Sequence, residues 1–201
     1  MGCGLEYNTR KNMHSFENTL MLVTNKNELL ESGMNELFEK TEVLYLEVDG
    51  MNDLEEVLVQ SVHLPRQAFN NLRALDVIKC ANLRYLFTVP IANGLMKLER
   101  LTVSQCSVLE VLAHSENGGD GVIKFQGLKF LSLKKLPELI GFSNIDIVIE
   151  LPQLLELRLE GLPNFTSIYP QKTSATSSMS SNVSAIQPFF NKQVPLYYLG
   201  F

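Results

Sequence analysis

The chain has 201 residues, 45% of them hydrophobic and 19% charged, with a formal net charge of −5, the profile of a globular chain of one or two domains. No apolar run approaches the roughly 18 residues of a membrane-spanning helix, and Lys and Arg nowhere cluster into a patch that could track a phosphate backbone. Neither a membrane nor a nucleic acid is therefore expected as a partner, and three cysteines without a C-x-x-C spacing fit neither a disulfide framework nor a zinc site.

Taken in chain order, residues 1–16 (MGCGLEYNTRKNMHSF) hold no basic stretch followed by an apolar one, so no secretory signal is read and a cytoplasmic location is expected. Met1-Gly2-Cys3 invites an acylation reading, but Glu6 stands where myristoylation requires Ser or Thr. Leu20-Met21-Leu22 reads as a short strand. The segment 28–40, ELLESGMNELFEK, reads as an amphipathic helix with Leu29, Leu30, Leu37 and Phe38 along one face. Residues 1–40 are thus expected to form an irregular repeat or cap. At Thr41-Glu42-Val43-Leu44-Tyr45-Leu46 a more regular unit begins, and Met51, Leu54 and Val57 follow it with a shift of about one residue.

Self-similarity then becomes plain. LRALDVIKCANLRYL from Leu72, LERLTVSQCSVLEVL from Leu98, LKFLSLKKLPELIGF from Leu128 and LLELRLEGLPNFTSI from Leu154 align without gaps, at intervals of 26, 30 and 26 residues. Six columns recur: Leu72/Leu98/Leu128/Leu154, Leu75/Leu101/Leu131/Leu157, Val77/Val103/Leu133/Leu159, Cys80/Cys106/Leu136/Leu162, Leu83/Leu109/Leu139/Phe165 and Leu86/Leu112/Phe142/Ile168. All 24 positions are apolar or Cys in a chain that is only 45% hydrophobic, which decides for a repeat. The period and the L-x-x-L-x-L-x-x-(N/C) skeleton are those of a leucine-rich repeat, here with the last apolar position three residues after the Cys column. The longer interval contains Ser115-Glu116-Asn117-Gly118-Gly119-Asp120-Gly121, read as a loop.

The alternation in each L-x-L core sends the leucines inward and the middle residue outward, as in a strand. The wider apolar spacing that follows suits a helical or 3₁₀ return. The expected architecture is α/β: a curved solenoid over residues 41–170, with a parallel strand ladder on its concave face and short helical or loop returns. Residues 171–187 hold eight Ser/Thr in seventeen positions and are read as a flexible loop. Residues 188–201 resume the pattern, with Leu196, Leu199 and Phe201 in the first three columns of a further repeat that is cut short.

A solenoid of this kind binds through the outward residues of its ladder. By position these are Tyr45, Asp76, Thr102, Ser132 and Arg158 between the strand leucines, flanked by Glu47, Ile78, Ser104, Lys134 and Glu160, with Tyr45 and Ile78 as the apolar anchors. Cys80 and Cys106, in one column with Leu136 and Leu162, are read as stacked buried thiols. His14, His63 and His114 have no nucleophile or metal-ligand spacing around them, and His114, beside Glu116 and Asp120, reads as part of a wet loop. No nucleophile elbow, H-E-x-x-H or paired carboxylate arrangement appears, so no catalytic residue and no metal ligand is named. The sequons at Asn164 and Asn182 are read as chance matches.

Three stretches also carry a resemblance. ENTLMLVTNKNELLESGMNELFEKTEVLYLEVDGMNDLEEV (17–57), NLRALDVIKCANLRYLFTVPIANGLMKLERLTVSQC (71–106) and LPNFTSIYP (162–170) resemble the leucine-rich-repeat region of plant intracellular immune receptors. These are the nucleotide-binding, leucine-rich-repeat disease resistance proteins with an N-terminal coiled coil, of the resistance-gene-candidate type. The resemblance implies a non-catalytic protein-binding module of innate immunity. Its implied partners are a pathogen effector, a guarded host protein, or the nucleotide-binding domain of the same receptor, whose switch the repeats restrain. The sequence departs from the complete receptor: Gly118-Gly119-Asp120-Gly121 followed by Lys124 lacks the spacing and the Ser/Thr of a G-x-x-x-x-G-K-[ST] phosphate loop, so ATP or ADP is not expected in this chain. The alternative expectation is a truncated, non-signalling adaptor, decoy or pseudogene product.

Overall fold

The computed structural model describes residues 18–31, 35–54, 69–114, 121–143, 147–166 and 196–200. In it each L-x-L core is a short strand whose leucines point inward: in Arg100–Ser104, Leu101 and Val103 are buried while the residues between and beside them are not. The elements in order are β1 (Thr19–Asn25), α1 (Lys26–Glu31), α2 (Asn35–Phe38), β2 (Val43–Asp49), β3 (Ala74–Ile78), β4 (Tyr85–Thr88) and α3 (Val89–Gly94). They continue with β5 (Arg100–Ser104), β6 (Val111–His114), β7 (Gly121–Lys124), β8 (Phe130–Lys134), β9 (Gly141–Ser143), β10 (Ile147–Glu150), β11 (Glu156–Glu160) and β12 (Leu196–Gly200). The main sheet runs β1-β2-β3-β5-β8-β11-β12, and each of its pairings is parallel.

Register keeps the repeat columns together. Leu44, Leu75, Leu101, Leu131 and Leu157 stand opposite one another across five strands, as do Leu46, Val77, Val103, Leu133 and Leu159. Of the six columns, every described member is buried except Phe165, which is partly buried; Ile168 lies outside the described residues. A seventh column, not singled out in the sequence, precedes each repeat: Phe69, Leu95, Phe125 and Leu151 are all buried. Aromatic contacts bridge successive coils, with ring centroids 5.5 Å apart for Phe38–Phe69, 5.8 Å for Phe87–Phe125 and 5.9 Å for Phe142–Phe165.

The returns, expected as short helical or loop segments, also contain strands. The first step of three residues is a single tight turn, closed by Leu83 N–H to Cys80 O, Leu139 N–H to Leu136 O and Phe165 N–H to Leu162 O. Pro137 and Pro163 occupy its second position, where the fixed φ of proline suits a β-turn. The chain then enters a strand, not a helix: β4, β6 and β9 form a second parallel sheet, and β7 and β10 a third. The third side of the Leu72 coil is helical, at α3, whose Pro90 lies in the first turn, where a missing N–H costs nothing. A second turn, from the seventh column to the first, closes three of the coils: Leu72 N–H reaches Phe69 O at 3.0 Å, and Leu98 and Leu154 reach Leu95 and Leu151 at 3.2 Å.

After the main-sheet strand, Lys79, Gln105 and Lys135 take the left-handed conformation (φ 54°, 57° and 52°), and Gly161 occupies the same place at 65°. This bend still serves the ladder, since the N–H groups of Lys79, Gln105 and Lys135 bond Ser104 O, Lys134 O and Glu160 O at 3.0, 3.0 and 2.8 Å.

Both ends need correction. Of the expected helix over 28–40, the described residues are helical in α1 and α2; Leu29 and Phe38 are buried, whereas Leu37 is 48% exposed. The strand at Leu20–Leu22 is longer than read and joins the main sheet as β1, in register with β2. Thr41 falls in the first leucine column and is tolerated there because its hydroxyl donates to Leu37 O at 2.7 Å. At the far end, Leu196 pairs with Leu157 and Leu199 with Leu159 across a bulge, one column further along than the sequence spacing suggested. Of the expected loop 115–121, Gly121 belongs to β7 and residues 115–120 lie outside the described residues, as do 171–187, Val57 and Phe201.

Leu101, 1% exposed, and Leu155, 47% exposed, provide the test of the shared interior. Leu101→Ala should lower the unfolding free energy in urea by about 3 kcal/mol, and Leu155→Ala by less than about 0.5 kcal/mol. Equal losses would contradict the assignment of the leucine columns to one core.

Candidate protein-binding face

The outward positions of the main sheet form continuous columns. Tyr45, Asp76, Thr102, Ser132 and Arg158 stand opposite one another in register, with Met21 beyond Tyr45. Ile78, Ser104, Lys134 and Glu160 form the next column, while Glu47 is opposite Val23. All ten residues named from the sequence are thus on one sheet face, neighbours in a column being about 4.8 Å apart.

Their exposure is unequal. Arg158 and Glu160 are exposed; Thr102, Ser104, Ser132 and Lys134 are half-buried. Asp76 was expected to be open, yet it is only 7% exposed and is ion-paired across the sheet with Arg100 at 3.6 Å. Of the two expected anchors, Tyr45 is half-buried and donates its hydroxyl to Glu47 at 3.1 Å, and Ile78 is also half-buried. Glu47 in turn holds Lys79 at 3.2 Å, Lys134 pairs with Glu160 at 3.6 Å, and Arg158 pairs with Glu156 along its own strand at 2.7 Å. The large apolar side chains most open on this face are Met21, Val23 and Phe130, at 50%, 51% and 42% exposure. Simple continuation of the alternation, from Ser132 back to Phe130, would have found the last.

Just before the strands a charged rim crosses the repeats. Backbone bonds of 2.8 Å link Arg73 N–H to Glu42 O, Glu99 N–H to Arg73 O and Lys129 N–H to Glu99 O, bringing these side chains alongside one another. Glu99 bridges the Arg73 guanidinium and Lys129 Nζ, the latter at 2.9 Å. Lys97 Nζ donates to Asn71 Oδ1 at 2.8 Å. The rim encloses an open cavity of about 400 Å³ lined by Glu42, Asn71, Arg73, Lys97, Glu99, Gly127 and Lys129. Gly127 leaves room there, since a Cβ would come within 3.2 Å of Leu98 O and 3.4 Å of Met96 O. The Lys129 and Arg73 hydrogen bonds hold the Glu99 carboxyl below its ordinary range, against the opposing effect of its partial burial.

Cys80 and Cys106 are buried free thiols in adjacent coils. Cys80 Sγ accepts from Val48 N–H at 3.4 Å, and Cys106 Sγ–H reaches Ser104 O at 3.5 Å. The hydrogen bond with Cys80, together with burial, pushes the Cys106 thiol far up, so it stays protonated at neutral pH. Among the described residues no group of His, Cys, Asp and Glu could hold a metal ion. His114 is not in a loop but ends β6, with its ring stacked on Tyr85 at 4.8 Å; His14 and His63 lie outside the described residues.

The geometry is that of a repeat-built solenoid face, and comparison with known families places the fold. The family model of plant disease resistance protein RPS2-like leucine-rich repeats matches residues 11–107 and 42–175. The chain belongs to that family. Neither a search of curated proteins nor one of solved structures found a match. RPS2-like repeats of this kind are typically non-enzymatic modules that mediate protein–protein interaction. No helix among the described residues is long and apolar enough to cross a membrane.

Two measurements probe this region. Glu99 is ionised more readily in the folded state than in the unfolded one. Its stabilisation should therefore be complete above the ordinary glutamate range, near pH 4.3, and lost as pH falls through the lower folded value. Glu99→Gln should accordingly be less stable than the parent at pH 7, with the gap closing below about pH 4; a gap independent of pH would contradict the bridging role. Iodoacetamide at pH 7 should leave Cys80 and Cys106 unlabelled in the folded chain and label both in urea, as resolved by mass spectrometry. Ready labelling without denaturant would show that the thiols are not enclosed.

Proposed function

We propose that this chain is a cytoplasmic protein-recognition module of a plant immune receptor, and that its main-sheet face engages a pathogen effector, a guarded host protein or the nucleotide-binding domain of the receptor. The observation that carries the reading is the set of outward columns in unbroken register over successive repeats, in a chain of the RPS2-like family. A ladder fixed by backbone hydrogen bonds presents its side chains with little ordering left to do on binding, which favours affinity. In this reading residues 41–170 form the binding module, the chain catalyses no reaction, and it holds no nucleotide of its own. Competition between an incoming protein and the nucleotide-binding domain for one face would shift the receptor from a closed to an open population.

The test is a combined variant, Thr102→Ala, Ser132→Ala, Lys134→Ala and Arg158→Ala, assayed against the nucleotide-binding module of an RPS2-like receptor supplied as a separate chain. Surface changes of this kind should each shift stability by no more than about 0.5 kcal/mol, while binding falls at least tenfold. Undiminished binding by the variant would overturn the assignment of the face. Failure of the parent chain to bind the module would favour the alternative of an inert adaptor or decoy.

A further inference from the structure

The main sheet carries a third outward column, at the beginning of its strands: Val43, Ala74, Arg100, Phe130 and Glu156 stand opposite one another. The first two are buried, but Phe130 is 42% exposed, a large aromatic ring between Arg100 on one neighbouring strand and Glu156 on the other. The two flanking charges are not equally engaged. Glu156 accepts a hydrogen bond of 2.7 Å from Arg158 Nη2. Arg100 Nη2 stands 3.6 Å from Asp76 Oδ2, beyond hydrogen-bond reach, and Arg100 Nε is enclosed without a hydrogen-bond partner. Lys129, which precedes Phe130, is committed to Glu99 at 2.9 Å. Arg100 thus has guanidinium donors to spare beside an exposed ring, and its backbone position is fixed by the bond from its N–H to Arg73 O at 3.0 Å.

We infer that Arg100 and Phe130 together form an anchoring subsite of this face. Its occupant is a segment of another protein that lays an apolar side chain on Phe130 and, one or two residues away, a carboxylate on Arg100. The inference rests on the reading of the main-sheet face as a protein-binding surface. Aromatic and arginine side chains held on a rigid scaffold are the types that dominate binding energy at interfaces. The planar guanidinium fork matches a carboxylate with two parallel hydrogen bonds. An incoming acid also relieves the unmet donor at Nε once the side chain turns towards it. A basic segment would instead place like charge against Arg100.

The experiment is selection of a displayed library of random twelve-residue peptides on the purified chain, followed by affinity measurement of the enriched peptides on the parent, Phe130→Ala and Arg100→Gln. The expected result is enrichment of sequences with Asp or Glu within two residues of a large apolar side chain, and loss of at least tenfold in affinity on each variant. Enriched peptides without that pairing overturn the subsite, as does enrichment no greater than on an unrelated protein. Peptides that ignore both variants but lose binding to the Thr102/Ser132/Lys134/Arg158 alanine variant also overturn it, while leaving the face itself a binding surface. Peptides indifferent to all the variants overturn both readings. Sedimentation of the chain alone tests the rival occupant: a dimer that Phe130→Ala dissociates would assign the ring to a second copy and refute the proposal. Should Arg100→Gln fail to fold, Phe130→Ala decides, because it removes an exposed side chain.

Discussion

Everything in this molecule depends on residue-for-residue register between successive parallel strands. A coil of this length cannot enclose its own apolar side chains, so each leucine is buried only if the next coil sets its counterpart alongside. A slip of one residue along any strand would turn Leu101 and Val103 to solvent and bring Thr102 inside. The exposure of Leu75, Leu101, Leu131 and Leu157, only 0%, 1%, 2% and 1%, shows how completely that alignment is kept. Alignment of the outward residues follows without further cost: the backbone that stacks leucines behind the sheet also sets Asp76, Thr102, Ser132 and Arg158 in line before it.

Stacking of equivalent positions has a hazard, because like charges would meet at strand spacing. The rim avoids this by alternating sign, Glu42, Arg73, Glu99 and Lys129 following one another across four repeats. Single exposed pairs of this type contribute little, on the order of 1 kcal/mol or less each. Glu99 is the exception in kind, since two cations serve it at once. The cysteine column solves a related problem with uncharged groups: Cys80 accepts from the backbone of the preceding coil while staying small enough to stack on Cys106.

The main sheet was legible in the sequence because the L-x-L alternation is short, regular and repeated, and comparison of repeats cancels local ambiguity. The returns were less legible for a physical reason. Apolar positions three apart arise equally from a helical face and from a turn followed by a strand, and Leu83 to Leu86 is the second kind. Tyr85-Leu86-Phe87-Thr88, rich in aromatic and β-branched residues, carried the relevant propensity, but four residues are too few to decide it. The column Phe69, Leu95, Phe125 and Leu151 escaped notice because it precedes the aligned window in each repeat. On the face, spacing put the ten named residues on one side of the sheet but left out Met21, Val23 and Phe130, and exposure depended on neighbours in other coils. The enclosure of Asp76 by its pairing with Arg100, and the openness of Phe130, are consequences of packing between coils that no single repeat encodes.

The corner between the second and third sides of each coil varies in length: Thr88 runs directly into Val89 of α3, residues 144–146 separate β9 from β10, and residues 115–120 separate β6 from β7. Yet β5 and β8, which flank the longest of these, remain paired from Arg100↔Phe130 to Ser104↔Lys134. Insertions and deletions at that corner alter the outline of the back without re-sorting a single column at the front, whereas one residue lost from a main-sheet strand would shift them all. Loop length and surface chemistry are therefore separate variables on which selection can act independently within one scaffold.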